Sequence, residues 1–324
     1  MKTNRNMQIT ELFRHLRVTV ASLSVGLTLL AVSALGQGTA SVPKGKAFGS
    51  AAEAADALIA AAGSYDTEAL LEIFGPESRD IIETADPVEG RKNTMEFAEQ
   101  ARAKKTVTVD KRNKALAYLS VGEDNWPFPV PIVKKGRSWY FDTSAGRQEI
   151  LYRRIGRNEL TAIDICRGYV EAQHEYALTK HDDALVNQYA QRIISSPGKK
   201  DGLAWQNPDG TWGGTVGEDA AKAIEESYKG VRAPFHGYYF KILTKQGDAA
   251  PLGALDFVQK GAMIGGFALI AYPAVYQVTG VKTFMVSHDG VVYEKDFGPK
   301  TSDLAEAVDA YNPDRTWTPL PPEN

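Results

Sequence analysis

A single cysteine, Cys166, in a chain of 324 residues is the feature that most limits what this sequence can fold into. Residues 1–36 read as an export signal, and the compartments beyond a bacterial inner membrane are oxidising. One thiol closes no internal disulfide there, so the fold must be held by a proper apolar core. The chain left after the signal, roughly 290 residues, is long enough for one large or two medium domains. Its 43% hydrophobic and 24% charged content is that of an ordinary globular protein.

The signal has its three parts in order. Lys2, Arg5, Arg14 and Arg17 form a basic start, residues 18–35 carry no charge, and Ala34-Leu35-Gly36 places small residues ahead of a cut before Gln37. The alternative is an uncleaved helix that anchors the chain to the inner membrane, although the apolar run sits at the short limit for spanning a bilayer. No cysteine follows the cut to carry a lipid, and no later apolar run reaches spanning length. The expected location is the periplasm or the exterior, with no membrane span once the signal is removed. Net charge is −3 and the pI about 6.0, with both signs interleaved, which argues against nucleic acid as a partner.

Residues 37–49 read as a flexible linker. Ser50 and Glu53 form a capping box ahead of Ala52, Ala55, Leu58, Ile59 and Ala62, a helix that Gly63 should end. Asp66 or Thr67 caps a second helix that Gly75-Pro76 stops, and Asp86 caps a third that runs to Ala103. Strands then follow over 106–109, 115–121, 130–133 and 139–141, the last two joined by a turn at Lys134-Lys135-Gly136-Arg137. Residues 50–143 are thus a first α+β domain, helices on a curved antiparallel sheet.

Residues 144–157 read as a helical linker that Gly156 breaks, and a longer helix over 158–177 starts at Asn158, with Leu160, Ile163, Cys166, Val170 and Ala177 near one face. Residues 203–234 look loop-like apart from a short helix over 218–228. Strands resume over 238–243, 266–271, 283–286 and 291–293, with Asp289-Gly290 as a hairpin turn. A helix over 302–310 precedes a Pro-rich tail, 313–324, expected to be disordered. The second domain, 158–312, is therefore a long helix packed on a second antiparallel sheet, and the fold class of the whole is α+β.

Several strings resemble a bacterial family known as domain of unknown function 2950: Asp124-Asn125-Trp126-Pro127-Phe128-Pro129, Gly146-Arg147-Gln148-Glu149-Ile150-Leu151, Arg154-Ile155-Gly156-Arg157-Asn158-Glu159-Leu160, Ser196-Pro197-Gly198-Lys199-Lys200-Asp201-Gly202-Leu203 and His236-Gly237-Tyr238-Tyr239-Phe240. The resemblance covers almost all of the chain after the signal and implies an exported protein, with no activity attached. More weakly, the order of a helix ending Ala172-Gln173-His174-Glu175-Tyr176-Ala177, then Gly237-Tyr238-Tyr239-Phe240, Ala271-Tyr272-Pro273 and Asp289-Gly290-Val291-Val292 resembles the headgroup of type IV pilins and type II secretion pseudopilins. That resemblance implies a helix on a small antiparallel sheet. Filament assembly does not follow, because a whole domain and a polar linker precede the headgroup.

The common catalytic signatures are absent: Gly-x-Ser-x-Gly, His-Glu-x-x-His, paired Cys-x-x-Cys and a Gly-Lys-Ser/Thr phosphate loop. Gly265-Gly266 reads as entry to a strand. His181, Asp182 and Asp183, with His174 nearby in sequence, have ligand chemistry for a metal, but their spacing matches no defined coordination loop and they read as a solvated helix end. His236, Tyr238 and Tyr239 suit either a polar pocket or a buried ring with its partners. Arg147, Arg153, Arg154 and Arg157 are a candidate site for an anionic glycan or lipid headgroup, or a set of surface ion pairs. Cys166 reads as a buried hydrophobe. Trp126-Pro127-Phe128-Pro129-Val130-Pro131 is the most unusual string, an extended backbone short of donors that suits an edge strand or a partner's groove.

No cofactor is expected. The chain reads as a non-enzymatic binding or scaffolding protein of the cell envelope, whose partner is an envelope protein or a glycan. The alternatives are a hydrolase-like envelope enzyme with an interdomain site using His236 and Tyr238, and a pilus or secretion accessory protein.

Overall fold

The computed structural model describes residues 45–82, 87–217 and 234–322. The export signal, most of the linker, the cap at Asp86 and the helix expected over 218–228 lie outside these residues. The protein is α+β with antiparallel sheets, and it divides into two compact units whose described parts are 45–153 and 154–322.

In the first unit, helix α1 (Ala51–Ser64) begins at the expected capping box: Ser50 Oγ accepts from Glu53 N, and Glu53 accepts in turn from Gly49 N, so first-turn donors find partners. Gly63 does not end the helix. It lies in the last turn, where the Arg102 guanidinium fills the place of a Cβ, and the left-handed cap is Tyr65 at φ 52°. Asp66 caps α2 (Thr67–Phe74) by accepting from Ala69 N. Helices α3 (Arg79–Ile82) and α4 (Pro87–Ala103) follow.

Strands β1 (Lys105–Val109), β2 (Leu116–Val121), β4 (Ile132–Lys135) and β5 (Ser138–Phe141) form the sheet in that order, with β3 (Trp126–Pro127) pairing the end of β2. The strand expected from residue 130 starts at Ile132, since the prolines at 129 and 131 donate nothing to a ladder. Ala117, Leu119, Ile132 and Phe141 point inward with Leu58, Leu70 and Ile73. Each large side chain buried there stabilises the unit by roughly 1.5–3 kcal/mol.

Helix α5 (Thr143–Tyr176) is one element of 34 residues, so the break expected at Gly156 does not occur. A Cβ at Gly156 would meet nothing, and glycine in an exposed helix interior costs only about 1 kcal/mol against alanine, which the neighbouring turns carry. Asn158 is accordingly no cap: it lies inside the helix, and its Nδ2 donates to Thr279 O at 2.8 Å. The buried face includes Ile155, Ala162, Tyr169, Gln173 and Tyr176 together with the expected Cys166 and Val170, while Leu160, expected to be buried, is 65% exposed.

The second unit carries most of the strands. β6 (Arg192–Ile194), β7 (Gly202–Gln206) and β8 (Trp212–Gly214) make a small sheet in a stretch expected to be largely loop. The main sheet has the order β17-β16-β15-β14-β9, built from β9 (Tyr238–Leu243), β14 (Ala268–Pro273), β15 (Thr283–Ser287), β16 (Tyr293–Lys295) and β17 (Thr318–Pro319). Two short hairpins, β10 (Lys245–Gln246) with β11 (Leu255–Asp256) and β12 (Val258–Gln259) with β13 (Ala262–Met263), fill the connection between β9 and β14. Every residue of β14 and β15 is buried, as expected of strands covered on both faces, and α6 (Thr301–Ala307) packs against β14.

The tail expected to be disordered is ordered as far as it is described. β17 adds to the sheet edge, where proline is tolerated, and Trp317 is buried edge-on to Phe297 with Lys295 Nζ lying over both rings. Among the described residues no helix is long and apolar enough to cross a membrane.

Candidate functional site

The proline-alternating string forms an edge of the first unit's sheet. Phe128 N donates to Leu119 O, and the Phe128 ring turns inward among Phe74, Phe97 and Phe141, with centroids 5.2–6.3 Å away. Anchored by that ring, the chain presents Trp126, which stays 45% exposed. Arg153 holds it: the guanidinium lies 5.3 Å over the indole and donates to Pro127 O at 2.8 Å and to Glu149 Oε1 at 2.7 Å. An aromatic face with a fixed cation has chemistry suited to binding. With no amide donors at 127, 129 and 131, a partner would be recognised here by side chains and not by strand addition.

Arg147 is engaged elsewhere. Arg147 donates to both carboxylate oxygens of Asp80 (2.8 and 2.9 Å) and to Glu77 O, tying α5 to α3. That guanidinium holds the Asp80 carboxyl below the usual carboxylate range. Arg154 is exposed.

His236 and Tyr238 are explained by local structure. His236 and Gly237 have φ of 47° and 78°, and Phe235 and Tyr238 exchange both backbone hydrogen bonds across them. This is a two-residue hairpin turn, which requires positive φ at both central positions. Partial burial lowers the His236 pKa below its ordinary value. Tyr238 is fully buried; its hydroxyl donates to Lys282 O at 2.8 Å, and burial pushes the phenol up. Tyr239 packs on Tyr272.

His181, Asp182 and Asp183 are not brought together as ligands, and among the described residues no group of three His, Cys, Asp or Glu side chains is placed to hold a metal. The His181 ring stacks on Tyr176 at 3.9 Å, and the exposed His174 lies edge-on to Phe267. Asp182 instead serves a construction that sequence reasoning missed. Its carboxylate accepts from Lys200 N, while the Tyr176 hydroxyl donates to Lys200 O. Asp201 accepts from both Ser196 N and Ser196 Oγ, and Gly202 N donates to Ser195 Oγ.

These bonds fold 195–202 back so that β6 and β7 run parallel across a very short connection. Gly202 is required there, since a Cβ would lie 2.7 Å from Ser195 N. Burial, with Asp182 and Asp201 nearby, pushes the Tyr176 phenol up to about 12. The only sequence signal was the Ser-Pro-Gly-Lys-Lys-Asp-Gly string itself, which names no partner outside the loop.

Cys166 is fully buried, and burial pushes its thiol up to about 12. It is expected to ignore a disulfide reagent in native buffer at about pH 8 and to react completely in strong denaturant. Rapid labelling of the folded protein would contradict this placement.

No curated protein and no solved structure matches the chain, and the pilin-headgroup resemblance gains no support from them. The family described as Protein of unknown function (DUF2950) matches residues 45–320, nearly all of what is described, and with it the strings at Trp126, Asn158, Ser196 and His236; the chain belongs to that family.

Proposed function

We propose that this is an exported cell-envelope protein that acts by binding, and that it engages an envelope glycan or protein through the Trp126 edge. The observation that carries the reading is Trp126 itself. A large indole costs apolar surface in water, yet here it is left nearly half exposed on a two-residue edge strand while Arg153 fixes its position. Rigid aromatic and arginine side chains dominate binding energy where partners meet. Export is supported by the basic start, uncharged run and small-residue exit of residues 1–36.

A photo-crosslinking residue placed at position 126 in intact cells is expected to trap one discrete envelope adduct, or to mark cell-wall glycan. The same residue at exposed Leu160, on α5, is expected to trap neither. Removing the Arg153 side chain should lower the yield without changing the melting temperature by more than a few degrees. Equal labelling at both positions, or none at position 126, rejects the edge as the site. The mature protein is expected to begin at Gln37 by mass spectrometry, and an intact Met1 terminus in the cytoplasm would overturn export.

A further inference from the structure

Strand β1 ends its sheet, and its register fixes which of its backbone groups face outward. Asp110 N donates to Leu116 O and Gly122 N to Lys104 O, and between these bonds Thr106 lies opposite Ser120 and Thr108 opposite Tyr118. Bonded pairs alternate along an antiparallel ladder, so residues 104, 106, 108 and 110 bond to β2. The N–H and C=O of Lys105, Val107 and Val109 therefore point away from the sheet, and among the described residues nothing pairs with them.

Two other sheet edges are closed or blunted. Phe48 and Trp139 exchange both backbone bonds at β5, and β17 carries Pro319, two of the ways in which a sheet avoids a new neighbour. β1 has no proline, and its register runs without a bulge. Its sequence is Lys-Thr-Val-Thr-Val, β-branched after the first residue and exposed everywhere except Val107. Such residues favour a strand, and outward donors and acceptors at every second residue match one chemical partner, an extended polypeptide backbone.

The charges select among polypeptides. Lys104 pairs with Glu123 and Lys105 with Asp56, so the start of the strand is balanced. Past its end stand Lys111, Arg112 and Lys114, exposed and without an ion pair among the described residues. The one carboxylate beside them, Asp110, is taken up by the amides of Arg112 and Asn113. Complementary charge fixes the register of a partner. We infer that β1 receives an extended segment of an acidic partner polypeptide as an added antiparallel strand, with the acidic residues at its N-terminal end against Lys111, Arg112 and Lys114. The inference is independent of the Trp126 edge, which pairs β2 on its other side.

Amide exchange on the full chain tests it, with the capped peptide Glu-Glu-Val-Thr-Val-Thr-Val as the probe. Without peptide, the amides of Lys105, Val107 and Val109 should exchange freely while those of Thr106 and Thr108 are protected; with it, all five should be protected. N-methylation of alternate peptide residues should be tolerated in one phase and weaken binding at least about tenfold in the other, because only one set of amides faces β1. A peptide tipped with Lys-Lys should bind at least about tenfold more weakly, and Lys111→Glu combined with Lys114→Glu should reverse that order. Val107→Pro should abolish the protection at little cost in melting temperature, since the amide it removes lies outside the β2 ladder. Outward amides left unprotected at millimolar peptide, equal binding of the two N-methylated forms, or equal binding of the lysine-tipped peptide would overturn the inference. Protection that grows with protein concentration in the absence of peptide would overturn it in favour of a second copy.

Discussion

Replacing Phe267 by alanine is expected to cost the second unit about 3–5 kcal/mol and to lower its calorimetric transition by roughly 10 °C, with the transition of the first unit unmoved. Phe267 is fully buried, and its ring meets Tyr189 at 4.7 Å, His174 at 5.4 Å, Tyr169 at 5.6 Å and His288 at 6.2 Å, all at steep interplanar angles. Edge-to-face pairs of this kind add to the area buried. The approach to the ring leaves little room to collapse: a Cβ at Gly266 would lie 2.9–3.0 Å from His288 and Phe257 atoms, and one at Gly265 2.9 Å from Asp256 O. A cavity that cannot close keeps its full cost. Phe267→Leu should recover more than half of the loss, and a transition unshifted in the alanine variant would show that the ring cluster does not hold this unit together.

What was legible in the sequence was what local chemistry decides. The box at Ser50 and Glu53, the cap at Asp66 and the turn through Gly136 each involve residues within four positions of one another, and all three are in place. The continuity of α5 was hidden because Gly156 looks like a breaker until its surroundings show that nothing needs it to be one. Its buried face was legible at Cys166 and Val170 and misread at Leu160, and a glutamine that belongs to it gave no sign. Gln173 is wholly buried, donating to the Tyr169 hydroxyl and Ala190 O and accepting from Ala190 N, so a polar letter marks a core position whose bonds are all made.

The same division holds for the candidate sites. The Trp126 string was legible because three prolines in six residues remove donors wherever the chain goes. The loop at 195–202 was not, since Tyr176 and Asp182, which hold it, are 24 and 18 positions away from Lys200.

Glu159 carries the second large effect, and its replacement by alanine is expected to destabilise the second unit by about 3 kcal/mol. One carboxylate oxygen accepts from both Val281 N at 2.8 Å and Lys282 N at 3.0 Å, bonds strengthened by the charge. The adjacent Asn158 donates to Thr279 O, and Tyr238 donates to Lys282 O, so three side chains fix the chain entering β15. Gly280 completes the arrangement, since a Cβ there would run into the Tyr238 hydroxyl. Truncating Glu159 strands two part-buried amide donors, and the penalty of an unmade bond exceeds the gain of a made one. Glu159→Gln keeps an acceptor oxygen in the same place and should lose only about 1 kcal/mol, which separates the hydrogen bonds from the bulk of the side chain. Amide exchange at Val281 and Lys282 should accelerate in the alanine variant well before exchange in β14 does. Equal stability of the Ala and Gln variants, or unchanged exchange at these two amides, would show that the loop is held by something other than this carboxylate.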